Sequence, residues 1–142
     1  MPAELSASFD CRATAAVLRS GSSVALAGHV AAVMSALSPL SGVPADGIKC
    51  CSMLVWCAVV YFSIRVKMDV LFFELLAEDH CAELLDDWLD AAGLRKKAGP
   101  RTMEGRRRGA LRLWRALVAA VAMQIALMLA GFTLTGMFGL LP

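Results

Sequence analysis

Five cysteines, two histidines and two blocks of like charge are the residues of this chain whose types could do chemistry. The cysteines are Cys11, Cys50, Cys51, Cys57 and Cys81, an odd number with no C-x-x-C and no paired spacing of the kind that closes a zinc site. As thiolates, the vicinal Cys50 and Cys51 would suit a soft metal, with Cys57 two turns further on. Buried cysteine otherwise behaves as a small hydrophobe, so no metal site is expected, Cys50 and Cys51 being the sole candidates, and no cofactor is expected either. His29 and His80 lie far apart and form neither HExxH nor HxxxH. The run Glu78-Asp79-His80-Cys81 is rich in ligating types, but consecutive helical residues point in different directions and cannot converge on one ion. It reads as a helix junction. There is no Gly-rich phosphate loop, no G-x-S-x-G and no carboxylate within an apolar segment, so the chain is expected not to be an enzyme.

The elements that would carry these residues are set by hydropathy. Hydrophobic residues make up 58% of the 142, charged residues 18%, and the mean hydropathy is +0.65, more apolar than an ordinary soluble domain. Residues 116–141 contain no charge at all, longer than the roughly 20 residues that cross a hydrocarbon core. A second span is expected over residues 48–66, whose apolar centre from Cys50 to Ile64 is bracketed by Lys49 and Arg65. Their long stems can carry the charges out to the headgroups. Trp114, just before the later span, suits the membrane interface.

The N-terminus divides into a segment over 1–22 and an apolar stretch over 23–41 that is either a further span, the preferred reading, or an interfacial helix. His29, Ser35, Ser38 and Pro39 interrupt its hydropathy. No signal peptide is expected, because Glu4 and Asp10 precede the first arginine. The fold class is therefore an all-α integral membrane protein with two or three transmembrane helices and a charged cytoplasmic helical hairpin, residues 67–115, between the last two. Bases flanking a span are retained in the cytoplasm, which places that loop inside and the C-terminus on the opposite side, in a bacterial inner membrane.

Charge in the loop is segregated. Eight acids and no base lie between Asp69 and Asp90, whereas nine bases and the single acid Glu104 lie between Arg95 and Arg115. Each arm has helical spacing: Met68, Leu71, Phe72, Leu75 and Leu76 in one, Ala110, Leu111, Leu113, Trp114 and Leu117 in the other. An unbroken first arm would be about twice the length of the second at 1.5 Å per residue. A break near Asp79 is expected, with a short helix over residues 80–92 and Val66–Ala77 pairing with Met103–Arg115. Intramolecular ion pairs would account for much of this charge. Arg106, Arg107, Arg108, Arg112 and Arg115, with Trp114, are also the candidates for anionic lipid headgroups or a protein partner, each base attracting such a surface by roughly 1 kcal/mol. Nucleic acid is not an expected partner.

In the later span Ala122, Ala126 and Ala130 recur every four residues, as do Gly131, Thr135 and Gly139, a spacing that lets helices approach closely in lipid. The partner helix is the earlier span, a second copy or another subunit. Gln124, the strongly polar side chain of this segment, is expected to hydrogen-bond to a neighbouring helix. Small size, absent chemistry and packing surfaces together point to a non-catalytic accessory or assembly subunit of a larger membrane complex. A self-associating channel or transporter is the alternative, and a soft-metal-binding membrane protein the third. In its vicinal cysteines, and in no other feature, the chain is similar to mercury-uptake membrane proteins.

Overall fold

The computed structural model describes residues 2–38, 43–79, 91 and 102–138, with side chains at 9–38, 46–77, 91 and 102–134. Three helices account for nearly all of them: α1 (Pro2–Ala36), α2 (Val43–Asp79) and α3 (Met103–Phe138). Each contains a segment long and apolar enough to cross a membrane, so the protein is an all-helical integral membrane protein with three candidate spans, in keeping with the two or three expected. The expected short helix over 80–92 lies outside the described residues except for Ala91.

Local sequence explains where the helices start and stop. Pro2 and Pro44 occupy first turns, where the missing N–H has no helical acceptor to lose. Thr102 caps α3: its Oγ1 accepts from Gly105 N at 3.2 Å, and its carbonyl accepts from Arg106 N at 3.1 Å. The boundary expected at residues 22–23 falls within one continuous helix. α1 runs through it because the change there is one of charge density, and between Pro2 and Pro39 the sequence holds no further proline.

Buried positions recur every seven residues in all three helices. They are Thr14, Gly21, Gly28 and Ser35 in α1, Ser52, Val59, Val66 and Phe73 in α2, and Ala110, Leu117, Gln124 and Gly131 in α3. A strict seven-residue repeat keeps one seam facing its neighbours when helices coil left-handedly about each other. Contacts along the seam fix the arrangement. A Cβ placed on Gly28 would lie 2.9 Å from Val121 Cγ2 and 3.0 Å from Val59 Cγ1, and one on Gly21 would lie 3.0 Å from Val66 Cγ1 and 3.4 Å from Leu117 Cδ2. Advancing along α1 thus means retreating along α2 and advancing along α3, an up-down-up bundle.

Charge then divides the bundle into two parts. From Ser20 in α1, between Cys50 and Ile64 in α2 and from Ala116 in α3, none of the three carries Lys, Arg, Asp or Glu. The fifteen residues on α2 give a layer of about 22 Å, extended at its edges by the reach of Lys49 and Arg65. On one side of this layer the first half of α1, the last part of α2 and the first part of α3 form a charged stem. α1 packs alongside the two arms expected there: Cys11, Ala15 and Leu18 share one buried cluster with Val70, Phe73, Leu76 and Ala110.

Unlike a soluble protein, the layer is apolar on its surface and holds polar groups among the apolar ones inside. Leu26, Leu54 and Leu129 are 64%, 72% and 54% exposed, while Gln124 and Ser52 are 0% and 4% exposed. Lipid tails accept the outer leucines, and helix contact inside depends on fit and hydrogen bonding. Gly28→Ala should therefore destabilise the protein by about 1–3 kcal/mol through overpacking, read as unfolding by SDS in mixed micelles. Gly109→Ala, with nothing within 4 Å of the new methyl, should be neutral or stabilising by up to about 1 kcal/mol from helix propensity.

Candidate functional site

The residues with binding or packing potential fall into three places. The first is the interior of the apolar layer. Gln124 of α3, fully buried, donates from Nε2 to Ser52 Oγ of α2 at 2.6 Å. Its Oε1 and the buried Ser35 Oγ of α1 have no hydrogen-bond partner among the described residues. Beside them Trp56 Nε1 donates to His29 Nδ1 at 3.0 Å, joining α2 to α1, with the rings edge to face at 6.3 Å. Ser63 satisfies its own hydroxyl on Val60 O at 2.8 Å, the ordinary solution for a hydroxyl in a membrane helix. These groups tie three helices together, beside Val59 and Leu117, which are fully buried in the same seam.

The second place is the outer face of α3. Ala122, Ala126 and Ala130 are exposed, turned away from α1 and α2, whereas Gly131 is buried in the seam. The two expected small-residue rows therefore serve different surfaces. Thr135 lies in α3 beyond the residues whose side chains are described, and Gly139 lies outside the described residues. The row that admits close approach within the chain belongs instead to α1, at Thr14, Gly21, Gly28 and Ser35. Its seven-residue spacing was readable in the sequence, but a search for four-residue spacing passes over it.

The third place is the stem. Arg107 and Arg108 bind Glu104 at 2.8 and 2.9 Å, and the hydrogen bond from Arg108 holds the Glu104 carboxyl below its ordinary pKa. Arg106 is half-buried, and Arg112 and Arg115 are exposed with no ion pair among the described residues. Trp114 is partly buried and packs on the apolar cluster of the stem. Consecutive helical positions diverge by about 100°, so the five arginines do not share one face: Arg108, Arg112 and Arg115 lie on the same side of α3, Arg112 and Arg115 nearest the apolar layer, and Arg106 and Arg107 point elsewhere. Across the bundle Arg19 of α1 meets Glu74 of α2 at 2.7 Å, a pair joining helices that sequence spacing alone does not relate. Its side chains are 71% and 34% exposed, so it adds at most about 1 kcal/mol.

Cys50, Cys51 and Cys57 are exposed and Cys11 is buried, all as free thiols, while Cys81 lies outside the described residues. Neighbouring positions on a helix diverge by about 100°, so Cys50 and Cys51 do not converge. Among the described residues no group of three His, Cys, Asp or Glu side chains could hold a metal ion. Comparison with protein-family models, with curated proteins and with solved structures finds no match to this chain.

The Gln124–Ser52 bond is open to direct measurement. A double-mutant cycle with Gln124→Ala and Ser52→Ala should return a coupling of about 0.6–1.7 kcal/mol, the range of buried hydrogen bonds between membrane helices. Additive effects of the two substitutions would show that the bond contributes nothing to stability.

Proposed function

We propose that this protein is a non-catalytic accessory or assembly subunit of a larger membrane complex, docked through the outer face of α3. The observation that carries this reading is the exposure of Ala122, Ala126 and Ala130 in the apolar layer. Small residues at four-residue spacing favour a close helix–helix contact in lipid, and neither α1 nor α2 occupies this face. The basic stem supplies a second contact, Arg112 and Arg115 being placed to meet anionic headgroups or an acidic partner at the layer's edge.

Nine of the ten described lysines and arginines lie at the stem end, and only Lys49 lies at the other. On this reading the stem is cytoplasmic, in a bacterial inner membrane, and the C-terminus is on the opposite side. Cys11 is buried and is a poor reporter of this orientation. Phe9, 72% exposed in the stem, is a better site. In a cysteine-free background Phe9→Cys should resist an impermeant thiol reagent in intact cells and react after permeabilisation. Labelling of intact cells would reverse the orientation.

The docking face is tested by purification in mild detergent. The wild-type chain should co-migrate with other subunits in fixed stoichiometry, and Ala126→Ile should abolish this while leaving the thermal unfolding midpoint of the isolated chain within a few degrees. A pure homo-oligomer would overturn the accessory role in favour of self-association.

A further inference from the structure

A groove opens between α1 and α2 where the stem meets the apolar layer, with a cavity volume of about 330 Å3. Arg19 and Lys67 flank it, and Glu74 closes its stem end. Toward the layer its walls are the small Ser22 and Ser63, and its floor is apolar, formed by Leu18, Val66 and Val70. The charged groups of the groove thus lie around an apolar floor on its stem side, and the two small serines leave it open toward the layer.

The charges do not cancel. Glu74 is held by Arg19 at 2.7 Å, whereas Lys67 is exposed and makes no ion pair or hydrogen bond among the described residues. The site keeps one surplus positive charge. Arg19 retains further donors, since a guanidinium has five and a single ion pair uses only part of the fork. A phosphodiester carries one negative charge, and its oxygens would sit between the Lys67 ammonium and the free edge of Arg19.

We propose that this groove is a binding site for one anionic phospholipid, its phosphate held by Lys67 and Arg19 and an acyl chain lying in the trough between Ser22 and Ser63. The apolar floor distinguishes it from a site for a free anion, which would gain nothing from Leu18, Val66 and Val70. It lies on the α1–α2 side of the stem, apart from the arginine face of α3. The site rests on the three-helix membrane fold and not on the accessory role, so either proposal can fail without the other.

Native mass spectrometry of the full chain in mild detergent tests it, using phosphatidylglycerol and phosphatidylcholine of matched acyl chains. One phosphatidylglycerol should stay bound at energies that strip phosphatidylcholine, and it should raise the thermal unfolding midpoint. Lys67→Gln should weaken this binding about fivefold, the effect of one base at a membrane surface. Lys67→Arg should restore most of it, and Arg12→Gln, which removes a stem charge outside the groove, should leave it unchanged. Equal retention of the two lipids, wild-type retention by Lys67→Gln, or equal thermal protection by inorganic phosphate alone would each overturn the proposal.

Discussion

Lipid tails are as apolar as leucine, so helices in a membrane gain little by hiding apolar side chains from them, and three helices must be held by close contact and by hydrogen bonds. Both require the backbones to approach. In this protein the approach is permitted by α1, whose seam residues are small: at Gly28 there is no room even for a methyl group against Val59 and Val121. From that closeness follow the contacts that tie the layer, since Trp56 reaches His29 and Gln124 reaches Ser52 only across tightly packed helices.

The stem obeys different rules. Outside the apolar layer water is present, and there Phe73, Leu76 and Leu18 are buried as in a soluble bundle, with burial of roughly 25 cal/mol per Å2 of apolar surface available as a driving force. The same helices therefore pass from a region held by fit to a region held by hydrophobic burial. The seven-residue register runs unbroken through both, from Ser52 to Phe73 in α2, so the two regions fold as one seam.

Much of this was legible in the sequence, and the exceptions have physical causes. The later span and the one around Cys50–Ile64 announce themselves by the absence of charge, and the α-helical class needs no more than that. The continuity of α1 was obscured because charge density changes near residue 22 while helix propensity does not. The inner and outer rows of α3 could not be separated from spacing alone: Ala126 and Gly131 are both small, and only the positions of α1 and α2 decide which faces inward. Arg19 and Glu74 are distant in sequence and of types that recur throughout the chain, and His29 and Trp56 are 27 residues apart. Nothing but the fold relates them.

The smallness of the α1 seam also bears on how the protein reaches its place. Alanine, glycine and serine let α1 pack closely, and they make it the least apolar of the three spans. A helix of this composition gains comparatively little by entering hydrocarbon alone, and its side chains fit only against α2 and α3, which follow it in the chain. Of these three helices, the first in chain order is thus the one whose residence in the bilayer depends most on the other two.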